Sequence, residues 1–69
     1  MNTNFHPGNR IQTYTKNASG DPSKGHNWEV WGRVKGEDKL LGTGKTLSEA
    51  ESNAAYTVGT EESLKGFYI

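Results

Sequence analysis

The chain has 69 residues, no cysteine, and a formal net charge of zero from 8 Lys/Arg and 8 Asp/Glu. That allows one small domain, excludes disulfides and a thiolate nucleophile, and removes any whole-molecule field that would gather nucleic acid or an anionic membrane. Only 30% of residues are hydrophobic, so the core must be thin, and no apolar run approaches the roughly 18 residues of a membrane span. Residues 1–9 are polar, with Pro7-Gly8 near the end and no segment resembling a signal peptide. They read as a flexible leader on a soluble, cytoplasmic protein. Arg10 to Lys16 carries Ile11, Thr13, Tyr14 and Thr15 and reads as a strand. Asn17 to Lys24 is a turn cluster around Gly20-Asp21-Pro22. Asn17-Ala18-Ser19 matches a glycosylation sequon that, with no secretory signal, reads as accidental.

His26 to Lys35 gives the clearest strand. Trp28, Val30 and Val34 share one face with Gly32, and Glu29, Trp31, Arg33 and Lys35 share the other. That period of two belongs to a sheet with one buried face. Gly36-Glu37-Asp38 reads as a three-residue loop, and Lys39 to Thr43 as the returning strand of a hairpin. Thr46 opens a helix. Its spacing to Glu49 is that of a capping box, in which the hydroxyl accepts from the Glu49 amide and the carboxylate reaches back to the Thr46 amide. Leu47, Ala50, Ala54 and Val58 recur at helical spacing with Ala55 alongside, a narrow stripe of mostly small residues suited to close packing on a sheet. Gly59 reads as the stop, Thr60-Glu61-Glu62 as a cap for one more short turn, and Leu64 to Ile69 ends the chain in an apolar tail.

Enzyme chemistry finds little footing. Gly44-Lys45-Thr46 before a helix invites a phosphate-loop reading, but the glycine required five residues before Gly44 is Lys39. The triplet then reads as a strand-end glycine and a helix cap. His6 and His26 have no metal-ligand spacing to another histidine, and Asp21, Asp38, Glu61 and Glu62 read as solvated surface charge. No cofactor and no small-molecule substrate is expected.

The charge is balanced in sum and uneven in place. Residues 1–45 carry a net +3 and residues 46–69 a net −3. Trp31, Arg33 and Lys35 fall on the strand face pointing away from the helix, and a tryptophan flanked by cations suits base stacking or backbone tracking. The plainer alternative is a ring covered by the Arg33 and Lys35 stems or by the C-terminal tail.

From the hairpin through the helix the chain resembles a double-stranded RNA-binding domain. That family carries G-x-G-x-S-K-K-x-A-K-x-x-A-A from its third strand into its last helix. The same frame here reads Gly42-x-Gly44-x-Thr46-Leu47-Ser48-x-Ala50-Glu51-x-x-Ala54-Ala55. Gly25-His26-Asn27-Trp28-Glu29-Val30 is similar to the family's G-P-x-H loop leading into its second strand. The resemblance spans roughly residues 10–58, with two departures. Residues 1–9 read as too short and polar to supply a counterpart of the family's first helix. Leu47, Ser48 and Glu51 replace the lysines that in the family grip phosphates across the RNA major groove. The resemblance therefore implies a kept scaffold whose RNA-contacting chemistry is lost. The β-β-β-α layout is also similar to the arm-binding domains of phage and transposon integrases, which read DNA with the exposed sheet face, here that of Trp31, Arg33 and Lys35.

The expectation is an α+β fold: a three-stranded antiparallel sheet packed against one C-terminal helix over residues 10–66, followed by the tail at 67–69. The expected core is Ile11 or Tyr14 with Trp28, Val30, Val34, Leu41, Leu47, Ala50, Ala54 and Val58. The expected function is a non-enzymatic binding module that engages a protein partner, the alternative being nucleic acid on the basic sheet face. The candidate binding surface is Trp31, Arg33, Lys35, His26 and Lys45, with Phe67 and Tyr68 of a tail that either docks on another chain or closes the protein's own core.

Overall fold

Alternation along the chain's most apolar strand turns Val30, Gly32 and Val34 to one side, and that side becomes the core. The computed structural model describes residues 9–69, so the expected leader lies outside the described residues except for Asn9. The elements run β1 (Asn9–Arg10), β2 (Gln12–Asn17), β3 (Trp28–Val34), β4 (Glu37–Gly44), α1 (Leu47–Thr60) and β5 (Phe67–Tyr68). Strands β2, β3 and β4 form an antiparallel sheet in that order. The helix lies over β4 and, less extensively, over β3. This is the expected α+β layout of three antiparallel strands and one C-terminal helix.

The buried cluster is Ile11, Val30, Val34, Leu41, Ala50, Ala54, Val58 and Leu64, with Trp28 and Phe67 packed against its margin. Of the two alternatives on the first strand, Ile11 is the core residue; Tyr14 is 38% exposed on the opposite face. Trp28 and Leu47 were expected inside and are only half-buried. The helix sits toward β4, and Trp28 lies at the far end of β3, opposite Asn17 and Gly44. Leu64, the last residue of a short 3-10 turn (Glu62–Leu64), supplies the bulk that the small helix residues do not.

Two features of the hairpin differ from expectation. Val34 pairs with Glu37, so the loop is Lys35-Gly36 rather than a three-residue loop. Both residues have positive φ, 53° and 81°, which is what the two-residue turn matching the sheet's right-handed twist requires. The ladder also shifts between Val30, opposite Gly42, and Trp31, opposite Leu40. Leu41 is the extra residue of a β-bulge. The bulge keeps Leu41 on the core side together with Gly42 and Gly44, while Leu40 turns out.

The glycines of β4 let the helix approach closely. A Cβ on Gly42 would lie 2.6 Å from the Ala50 carbonyl oxygen and against the Ala54 backbone, and one on Gly44 would lie 2.7 Å from the Ala50 amide nitrogen. Thr46 caps the helix, accepting from the Glu49 amide at 3.1 Å. The Glu49 carboxylate accepts from the Lys45 amide at 3.1 Å, not from that of Thr46, one residue further out than a capping box predicts. Gly59 does not stop the helix, which runs on to Thr60 and closes with the Glu61 amide donating to the Thr57 carbonyl.

Candidate functional site: the outer face of the sheet

The face turned away from α1 is built by register. Tyr14 lies opposite Trp31, and Trp31 opposite Leu40, so the three form one row across β2, β3 and β4. Lys16 pairs with Glu29 in the next row on one side, and Gln12, Arg33 and Asp38 form the row on the other. Tyr14 and Leu40 are 38% and 41% exposed, and Trp31 is half-buried between them.

Trp31 is held on two sides. The Lys16 ammonium sits 4.4 Å from its ring centroid and 5.8 Å from that of Tyr14, a cation–π arrangement in which the lysine stem covers ring surface. The indole Nε1 donates to Glu29 Oε1 at 3.0 Å. The cation over the ring is therefore Lys16, a residue of the neighbouring strand.

Glu29 falls on the outer face as the alternation places it, yet it is 4% exposed. Its Oε2 accepts from Lys24 Nζ at 3.2 Å and lies 2.8 Å from His26 Nε2. A carboxylate can only accept, so this contact places a proton on Nε2. The hydrogen bonds from His26, then Trp31, then Lys24 hold the Glu29 carboxyl down at about 2. They favour the charged form more than burial opposes it.

The candidate residues do not form one patch. Trp31 and Arg33 share the outer face, and Arg33 lies 3.8 Å from Asp38 across the strand pair. Lys35 leaves the face altogether, because positive φ places it in the hairpin turn. His26 precedes β3 and is committed to Glu29. Lys45 lies between β4 and α1, where its carbonyl accepts from the Asn27 side chain at 3.2 Å. Phe67 and Tyr68 form β5, which pairs in parallel with Asn9 and Arg10 of β1. Phe67 packs on the core margin, so the tail closes the protein's own sheet and core.

Sequence reasoning missed Lys16, Tyr14 and Leu40. The signal for the first two was available: once β2 and β3 are taken as antiparallel neighbours, Tyr14 and Lys16 fall beside Trp31. Leu40 needed the bulge, which the Leu40-Leu41 pair does not announce. Beneath the Tyr14 end of the row, Arg10, Gln12, Arg33 and Ile69 help line an open concavity. Desolvation, followed by Asp38, raises the Tyr14 phenol above its usual value. No group of three or more metal-ligating side chains occurs among the described residues, and no helix there is long and apolar enough to cross a membrane. No family model, curated protein or solved structure matches the chain.

Proposed function

We propose that the chain is a non-enzymatic binding module, built on a scaffold that resembles a double-stranded RNA-binding domain, and that it engages a protein partner through its outer sheet face. The observation that carries this reading is the row Tyr14–Trp31–Leu40, an aromatic and aliphatic strip across all three strands. The charges around it support a protein over a polyphosphate. Arg33 faces Asp38, and Lys24 is bound to Glu29, so these cations are already matched. Trp31 is fixed by Lys16 and Glu29, and a rigid indole of this kind suits a protein interface. The residues in the phosphate-gripping frame, Leu47, Ser48 and Glu51, are half-buried or exposed on α1 and carry no positive charge. The His26–Glu29 pair serves structure, since its carboxylate is taken up by Lys24 and Trp31 as well.

The second reading, nucleic acid on the same face, draws on Lys16 over Trp31 and on Arg33. One comparison separates the two. Wild type, a Tyr14→Ser/Leu40→Ser variant and a Trp31→Ala/Arg33→Ala/Lys35→Ala variant are titrated with duplex RNA and single-stranded DNA at two salt concentrations. The same three are used as baits for partner capture. The protein-partner reading expects negligible nucleic-acid affinity for wild type and a captured protein lost from the Tyr14→Ser/Leu40→Ser bait. Tight, salt-sensitive nucleic-acid binding that disappears in the triple variant would overturn it.

A further inference from the structure

The two edges of the main sheet are not equivalent. At β4 the Asn53 side chain donates to the Thr43 carbonyl at 2.7 Å, and the bulge at Leu41 breaks the regularity a partner strand needs. At β2 the ladder runs without a shift from Gln12 to Asn17, with all six residues exposed and no proline. Its one lysine, the residue type that commonly blocks an edge, is drawn onto Trp31.

The hydrogen bonds identify which β2 groups face outward. The Ala18 amide donates to the Asn27 carbonyl at 2.7 Å, continuing the β2–β3 ladder. Antiparallel pairs alternate between bonded and non-bonded, so Gln12, Tyr14 and Lys16 bond to β3. Thr13, Thr15 and Asn17 turn their N–H and C=O groups away from it. Ile11 belongs to the same outward set, and its amide donates to the Tyr68 carbonyl at 2.7 Å. Among the described residues, strand β5 covers this edge only as far as Ile11, and the stretch from Thr13 to Asn17 is open.

We infer that this open stretch pairs antiparallel with the same stretch of a second copy of the chain, about a two-fold axis at Thr15. In that register Thr15 opposes itself and Thr13 opposes Asn17 of the second copy, so every outward group meets an outward group. Tyr14 then opposes Lys16 of the second copy, the same cation–aromatic pairing the monomer already makes. The neighbouring registers are worse. An axis at Tyr14 drives Asn17 onto Ile11, whose amide is taken. An axis at Lys16 sets two lysines against each other and leaves Thr13 unpaired. An axis between residues pairs outward groups with groups already bonded to β3. A net charge of zero puts no repulsion between copies, and a two-fold dimer is the commonest closed assembly. The outcome is a six-stranded sheet with both helices on one side and both Tyr14–Trp31–Leu40 rows on the other. The pairing rests on the edge alone and does not depend on what the outer face binds. Strands this short bury less than a standard interface, so the dimer is weak and concentration-dependent.

Sedimentation equilibrium of the full chain over a wide concentration range, with amide exchange at each concentration, tests this. Expected is a reversible monomer–dimer equilibrium in which the Thr13, Thr15 and Asn17 amides gain protection as the dimer forms. Thr15→Lys, which opposes like charges at the axis, is expected to raise the dimer Kd about tenfold or more. Thr15→Pro removes an outward N–H without touching the β3 ladder and is expected to do the same. Thr15→Lys at low concentration melts like wild type, which keeps the test valid if the proline variant folds poorly. A wild type that stays monomeric throughout, or a dimer that both variants leave intact, overturns the inference.

Discussion

Glu29 is the residue whose environment departs furthest from its place in the pattern. On an alternating strand it reads as an outward charge, and it does point outward. What buries it is not the core but its neighbours: His26 and Lys24 from the preceding loop and the Trp31 indole from two residues on. Its carboxyl is held at about 2, below the ordinary value of 4.5. A depressed carboxylate contributes stability that is fully present above the unfolded value and is lost as pH falls through the folded one. The melting temperature of wild type should therefore drop as pH is lowered from about 4.5 toward about 2. Glu29→Gln should melt lower at neutral pH, where the charge-assisted hydrogen bonds are missing, and its melting temperature should fall less over that acid window. A variant whose acid limb matches wild type would remove Glu29 from the acid sensitivity. The helix cap belongs to the same scale. Thr46→Ala leaves the Glu49 amide without its acceptor and should cost about 1 kcal/mol in a denaturant titration, while Thr46→Ser should restore most of it.

At the scale of elements, packing follows from where side chains are missing. Gly42 and Gly44 of β4 meet Ala50 and Ala54 of α1, both fully buried, so strand and helix approach backbone to backbone. An added methyl at Gly42 would meet main-chain atoms that cannot rotate away. Gly42→Ala should therefore cost roughly 1–3 kcal/mol by overpacking. Gly20→Ala, where a Cβ meets nothing within 4 Å, should be near neutral in the same assay. The hairpin turn offers a change of opposite sign. Lys35 is a non-glycine residue at φ 53°, a conformation that costs an ordinary L-residue roughly 1–2 kcal/mol and asparagine less. Lys35→Asn should stabilise the protein by up to about 1 kcal/mol, read as a shift in denaturant midpoint at constant slope. These elements also mark what the sequence could convey. The alternation of β3, the capped start of α1 and the Ala50/Ala54 stripe are local patterns, and the sheet and helix follow from them. The bulge at Leu41, the two-residue turn and the position of Leu64 depend on how strands fit once paired. The outer-face site was half legible for the same reason: Trp31 and Arg33 stand on the strand that announced itself, whereas Tyr14, Lys16 and Leu40 reach them only through register.

At the scale of the whole molecule, the described chain is closed by its two ends. Strand β1 and strand β5 lie side by side, with the Asn9 amide donating to the Gly66 carbonyl at 2.9 Å and the Ile11 amide to that of Tyr68 at 2.7 Å. Parallel strands cannot be joined by a tight turn, and here the connection between them is the entire domain. The pair therefore joins the two ends of the described chain around the other elements, as a clasp. Phe67 gives it an apolar contribution by packing on the core margin, whereas Ile69 is 41% exposed and contributes little. Deleting residues 67–69 removes a half-buried phenylalanine and, with β5, the Tyr68 carbonyl that accepts from the Ile11 amide. Together these are worth roughly 2–3 kcal/mol. A domain of this size holds only a few such increments in total, so its melting temperature should fall by about 10–20 °C. Phe67→Ala alone should reproduce most of that loss, and removal of Ile69 alone very little. Thermal melts of the three proteins by circular dichroism check this directly. If the three-residue deletion melts like the parent while partner capture is lost, the clasp carries no stability and the tail is a docking segment after all.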